Sequence, residues 1–348
     1  MSPDTQAQRN IGIPEGGILE APKKSMFQIF WSLFKKNRLA VIGLVIFIAF
    51  FFIALAGALL TTGKTPVLDP AMVRLQEKLK PPLSDPNLDT LQPEEIPAMG
   101  IYMFGTDELG RDVFARMLQG AWVSLTVGFV AVGISIFIGI ILGGWAGYYG
   151  NHKITAGHVL ALSAMAAGIF WMFSASLLPG TLLILFGAAL IFTMRIVKKQ
   201  RKKLPRSFSN ITAPLLSIDG LITGLIDIML CFPSFFLILT VVALLPASIY
   251  NIMIVIGLTS WMGAARFVRA EFLSLREMDF ITASRALGMS DWRIIFLHMI
   301  PNAIAPVLVS ATIGIATAIL TEAGLSFLGF GVPPPHATWG NILSNGKN

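Results

Sequence analysis

Long apolar runs alternate with short polar or basic segments along most of this chain. A helix needs roughly 20 apolar residues to cross a bilayer. Seven runs approach that length, at 40–60, 123–148, 156–178, 181–196, 221–245, 249–264 and 302–320. The pattern predicts an all-α, polytopic membrane protein. The run at 123–148 is rich in glycine, and Gly139, Gly143 and Gly147 recur every four residues on one helical face. The runs at 156–178 and 181–196 are joined only by Pro179-Gly180, which predicts a tight hairpin.

The segment 266–301 has a different texture. Phe280, Ala283 and Leu287 make one apolar stripe at helical spacing, and Trp292, Ile295, Phe296 and Met299 make a second. Gly288 suits a helix C-terminus and Ser290 an N-cap, so two short helices with a locally encoded break are predicted. Arg266, Arg269, Arg276, Arg285 and Arg293 surround them with positive charge. On pattern alone two readings stand: a docking surface for another protein, or a helix pair lying on lipid with its arginines toward anionic headgroups.

Basic residues set the expected direction of the spans. Lys23, Lys24, Lys35, Lys36 and Arg38 precede the first run and place the N-terminus in the cytoplasm. Residues 61–120 are then external. A cluster from Arg195 to Arg206 follows the hairpin and falls on the inner side by the same count. The segment 266–301 is cytoplasmic as well.

Composition narrows the class further. The chain is 55% hydrophobic and only 13% charged, against about 25% charged in soluble domains. The net charge of +7 reflects inward-facing loops rather than nucleic-acid binding. Cys231 is the single cysteine, so no intrachain disulfide forms, and the four histidines lack zinc spacing. No metal site, cofactor or nucleophile–base pair is expected. Residues 1–38 are too long and polar for the start of a cleavable signal peptide. The glycines at 57 and 63 before Lys64-Thr65 are separated by five residues where a phosphate loop needs four, and no strand precedes them.

Some positions keep two readings. Gly139, Gly143 and Gly147 form a ridge for close packing, either inside the chain or at a seam with another subunit. Asp227 and Glu322 lie near the ends of spans, where carboxylates serve structural hydrogen bonding or handle a cation or proton. Asp107, Glu108 and Asp112 precede Val113, Phe114, Met117 and Leu118, which predicts a surface helix outside the membrane with acids in its first turn. A binding protein could touch this helix.

The stretch 279–302, with Gly288 thirteen residues before Pro301, resembles the cytoplasmic coupling loop of ABC importer permeases. Several other segments resemble the dipeptide, oligopeptide and nickel branch of that family in the same order. They are 104–112 (FGTDELGRD), 227–233 (DIMLCFP), 266–276, 322–331 (EAGLSFLGFG) and 339–343 (WGNIL).

The resemblance implies a type I ABC importer permease-like helical core carrying an inserted two-helix hairpin at 152–205. The layout is a cytoplasmic tail at 1–39, a first span at 40–60, an external segment at 61–120 and a permease domain at 121–348. It implies a multi-pass protein of the cell inner membrane that takes part in peptide transport or that of a related small solute. Its implied partners are a second permease, two ATPase subunits that bind the ATP, and an extracytoplasmic substrate-binding protein. Asp279, Thr282, Ala283, Ser284, Arg285, Gly288 and Pro301 are the implied ATPase contacts. Family members often carry Glu-Ala-Ala where this chain has Thr282-Ala283-Ser284, so no ion pair carries over at that position. They also continue with one more span after the segment that matches 339–343. The competing function is an ion-coupled secondary transporter that uses Asp227 and Glu322.

Overall fold

The computed structural model describes residues 31–155 except 33 and 64, part of 160–192, and 214–346. The chain divides into two units, Met1–Phe52 and Ile53–Asn348. Helix α1, Arg38–Thr61, is apolar throughout and long enough to span.

The second unit is built around α2, Val113–Tyr148. At 1.5 Å per residue its 36 residues reach about 54 Å, well past the ~30 Å hydrocarbon core. The surface helix expected near Val113 is therefore the first part of α2 and not a separate element. Asp112 caps it, accepting hydrogen bonds from the backbone nitrogens of Phe114 and Ala115 at 2.9 and 3.5 Å. Burial raises the Asp112 carboxyl above the usual range, against the lowering effect of those two bonds.

The turns before α2 are tied by charge. Asp107 accepts from the backbone of Leu109 and Arg111, each at 2.9 Å, and pairs with Arg111 at 2.7 Å. Gly110 sits at φ +71°, with the Arg74 carbonyl so close that no Cβ would fit. Glu108 is exposed.

Two short strands, β1 (Lys153–Thr155) and β2 (Pro214–Ser217), pair antiparallel. They bring residues 153–155 and 214–217 side by side, so the segment between them leaves and rejoins the core at one place. Most of the predicted span at 156–178, and the end of that at 181–196, lies outside the described residues. Gly187 lies against Met165 and the Ala161 backbone.

The single span expected at 221–245 is two helices, α3 (Ile218–Cys231) and α4 (Ser234–Leu244), bent by 82°. Pro233 causes the break. It lacks a backbone N–H and forces the preceding residue out of the helical region, and Phe232 is accordingly extended at φ −90°, ψ 133°.

The expected short span at 249–264 instead continues through α5 (Ile249–Thr259) and α6 (Trp261–Leu275). Arg266 and Arg269 thus belong to a helix, not to the following loop. After α7 (Asp279–Ala286), helix α8 runs from Asp291 to Phe327. Pro301 does not end it. A proline there cannot donate to the Leu297 carbonyl, and the helix widens to a π-turn over Ile295–Met299 just before it. The Asn302 side chain donates to the His298 carbonyl at 2.5 Å across the same turn. Helix α9, Trp339–Asn345, follows. Among the described residues, four helices span by length and composition, or five if the bent α3–α4 pair counts as one.

Three apolar clusters hold the unit. One joins α2, α4, α5 and α8 through Val127, Ile238, Ile256 and Leu325. A second joins α2, α3 and α6 through Ala146, Ile226 and Trp261. The third lies beneath α7 and the start of α8, where Ile281, Ile294 and Met299 pack with Phe272 and Leu275 of α6.

Candidate coupling site

Helix α7 ends by a mechanism written into the local sequence. Gly288 takes φ +78°, a left-handed conformation that costs glycine little. Its N–H donates to the Arg285 carbonyl at 2.9 Å, and the Met289 N–H donates to Ser284 at 3.1 Å. That pair of bonds satisfies the last carbonyls of the helix. Ser290 stands at the N-cap position of α8 without a side-chain capping bond. Asp279 and Arg285 occupy the first and last turns of α7, each on the side the helix dipole favours.

The two predicted stripes fare differently. Phe280, Ala283 and Leu287 all point outward, Leu287 at 85% exposure. The inward residue of α7 is Ile281, fully buried. The second stripe splits. Ile295 and Met299 face the core, while Trp292 and Phe296 remain exposed with ring centroids 4.0 Å apart. The π-turn lies within this stretch and changes the periodicity that the stripe assumed. Thr282 and Ser284 turn their hydroxyls back to the carbonyls of Asp279 and Phe280 at 2.9 and 2.7 Å. Phe280, Ala283, Leu287, Trp292 and Phe296 thus leave an exposed apolar surface on a turn held rigidly from below. Pro301 lies beyond it, inside α8.

Four of the five arginines expected to ring this surface have other partners. Arg269 grips the Asp219 carboxylate of α3 with two nitrogens, Nη2 to Oδ2 at 2.7 Å. Arg266 pairs with Asp227 at 3.0 Å. Arg276 bonds Glu277 at 2.9 Å and the Gly147 carbonyl at 3.3 Å. Arg285 lies over the Tyr148 ring, 4.9 Å from its centroid.

The residues that sequence reasoning missed are Tyr148, Tyr149 and Asp291. Tyr148 Oη donates to Asp291 Oδ1 at 2.6 Å, and Tyr149 Oη donates to Oδ2 at 3.2 Å. Burial, and then the negative charge of Asp291, push the Tyr149 phenol up to about 12, so it stays a donor at neutral pH. The signal available was an aromatic pair closing a span and an acid in the first turn of a helix, but nothing joined them.

Gly139, Gly143 and Gly147 all face α6 of the same chain. A Cβ at Gly139 would stand 2.6 Å from Ala264 Cβ. At Gly143 it would meet the Ala265 carbonyl, and at Gly147 Phe272 Cβ. Glu322 is fully buried, bonded to Ser326 at 2.6 Å and reached by Ser124 at 3.5 Å. Asp227 is thus half of an exposed ion pair with Arg266, and Glu322 is held by hydroxyls. A cavity of about 250 Å³ opens between α2, α5, α6 and α8, lined in part by Ser135, Ser260, Gly263, Phe267, Ser310 and Thr317. Among the described residues, no cluster of histidine, cysteine or acidic groups could hold a metal ion.

Residues 211–347 match the family described as binding-protein-dependent transport system inner membrane component. Residues 25–82 match the N-terminal TM domain of oligopeptide transport permease C. The dipeptide transport system permease protein DppC of Alkalihalophilus pseudofirmus is 33% identical, over 90% of this chain and 75% of that protein. The oligopeptide transport system permease protein OppC of Bacillus subtilis is 27% identical, over 90% and 74%. A putative peptide permease protein of Brucella suis is 29% identical, over 90% and 76%. These matches favour a permease subunit over an ion-driven transporter. The chain belongs to the binding-protein-dependent transport system inner membrane components, the membrane-spanning permease subunits of ABC importers.

Proposed function

We propose that this chain is one of two permeases that together form an inner-membrane path for peptides or a related small solute. The second permease is a different chain, a substrate-binding protein delivers the solute from outside, and two ATPase subunits bind and hydrolyse the ATP inside. ATP binding and hydrolysis belong to those ATPase subunits rather than to this chain. Its N-terminus is cytoplasmic. The names of its relatives support a peptide cargo. The cavity between α2, α5, α6 and α8 offers hydroxyls without a charged side chain, which suits a solute that must leave as readily as it enters.

The observation that carries the reading is the exposed surface of α7 and its turn. Leu287, Phe280 and Trp292 stand out from a helix pair whose inner face is locked on Ile281, Ile294 and Met299. Asp279, Thr282, Ala283, Ser284, Arg285 and Gly288 line or shape the ATPase contact. ATP-driven closure of the two ATPases pulls on this contact, and the path switches sides because the two ATPase states hold it differently.

The test is co-purification of ATPase subunits with the intact chain from its own membranes, beside Leu287→Arg and Leu88→Arg. Leu287 tops the turn, and Leu88 is exposed in the segment between α1 and α2, outside the spans. Recovery with wild type and Leu88→Arg, and loss with Leu287→Arg, is expected. Equal recovery with all three would move the contact elsewhere. No ATPase with wild type would remove the importer reading.

A further inference from the structure

Three elements meet at the C-terminal end of α2, and they meet through polar contacts rather than packing alone. Tyr148 and Tyr149 are consecutive, yet their phenols close on the two oxygens of one carboxylate, Asp291, at 2.6 and 3.2 Å. Their rings stand edge to face with centroids 4.8 Å apart. Arg285 of α7 covers the Tyr148 ring, and Arg276, at the end of α6, donates to the Gly147 carbonyl one residue earlier. Tyr148 is 7% exposed, so the shorter of the two phenol bonds comes from a buried donor, although Asp291 itself reaches the surface.

The position of this clamp is unusual for a stabilising device. The apolar cluster beneath, with Ile281, Ile294 and Met299 fully buried, already fixes α7 and α8 onto α6. Tyr148 of α2 belongs to the same cluster, and the clamp adds to this packing a directional polar link from the start of α8 to α2. Helix α2 is also the element that meets α6 backbone to side chain along the glycine ridge and packs Gly128 against Ile315 and Ile319 of α8. A displacement of the turn and the start of α8 that left α2 behind would have to break both phenol–carboxylate bonds, and one of α7 would uncover the Tyr148 ring. Coupling between distant sites needs an element with two arrangements that both sites bias.

We infer that Tyr148, Tyr149 and Asp291 are positioning residues that transmit movement of the coupling turn to α2, and through α2 to the wall of the path. The inference rests on the reading of α7 as the ATPase contact.

The experiment uses the whole transporter in proteoliposomes, with ATPases, second permease and binding protein. Three forms are compared: wild type, Asp291→Ala, and the double variant Tyr148→Phe with Tyr149→Phe. The double variant keeps both rings and removes only the hydroxyls. Three quantities are read: recovery of ATPases on the complex, ATP hydrolysis stimulated by loaded binding protein, and solute moved per ATP.

Recovery should be unchanged in both variants. Loss of two hydrogen bonds to a charged group should lower stimulation about ten-fold or more, and solute moved per ATP should fall with it. Asp291→Glu, which keeps the acceptor, should recover part of the coupling. If ATPases are recovered with every variant and the solute-to-ATP ratio is unmoved, the clamp does not transmit. If the phenylalanine variant loses its ATPases, the clamp is part of the docking structure and the inference also fails. If wild type itself recovers no ATPase, the functional reading falls first, and that outcome is separate from the other two.

Discussion

Replacing Gly139 by alanine adds one methyl group at the tightly packed seam between α2 and α6. The new Cβ would stand 2.6 Å from Ala264 Cβ and 3.0 Å from the Ala265 backbone nitrogen. Ordinary contact begins near 3.4 Å, so the methyl is about 0.8 Å too close to an atom fixed rigidly to the α6 backbone. No rotamer change relieves it, because neither Cβ can turn away. The helices must part, and the same movement loosens Gly143 against the Ala265 carbonyl and Gly147 against Phe272. Close helix approach in a bilayer rests on such contacts, because no hydrophobic drive separates protein from lipid tails.

Overpacking of this kind costs about 1–3 kcal/mol, and 1.4 kcal/mol is a factor of ten in the folding equilibrium. Gly133 supplies the control, since nothing lies within 4 Å of a Cβ there. Gly133→Ala should be neutral or stabilising by up to about 1 kcal/mol, as alanine is the better helix former. The assay is denaturant unfolding of the purified chain in mild detergent, without its partner permease. Gly139→Ala should unfold at lower denaturant than wild type, and Gly133→Ala should not. Equal stability of the two variants would refute the packing argument and return the ridge to a seam between subunits.

Two further outcomes follow from the polar contacts. Asp219→Asn should weaken the two-pronged grip of Arg269 and loosen α3 from α6, at a cost of about 1–3 kcal/mol; denaturant unfolding in the same detergent checks it, and an unchanged midpoint would count against the ion pair as a tie. The Tyr149 phenol is raised to about 12 from an ordinary value of 10.0. Its folded-state pKa lies above the unfolded one, so its contribution is fully present below about 10 and fades as pH rises through about 12. Tyrosinate absorbance should therefore show late-titrating phenols in wild type, the Tyr102 phenol also being pushed up to about 12, and Tyr149→Phe should remove one of them.

Much of this protein was legible in the chain itself. Hydropathy alone marks α1, α2 and α8 as spans, because a bilayer asks for length and apolarity and little else. The end of α7 was legible because its cause is local: a left-handed residue favours glycine, and Gly288 stands where the apolar stripe stops. The break at Phe232-Pro233 has a local cause too, although the run around it reads as one continuous span.

Tertiary structure decided what local pattern could not. Arg266 and Arg269 look like loop charges, yet α6 carries them as helix residues because Asp227 and Asp219 on α3 neutralise them, 39 and 50 residues away in the chain. Pro301 looks like a helix start, but a π-turn absorbs its missing N–H and α8 runs through. The second apolar stripe reads as one face, and the same π-turn helps divide it between core and surface. Tyr148 and Asp291 lie 143 residues apart and meet only because the glycine ridge lets α2 sit close enough to α6 for its end to reach the turn. Spans and turns follow from near neighbours and from the solvent, whereas the pairing of charges and the tie between turn and span depend on which helices the packing brings together.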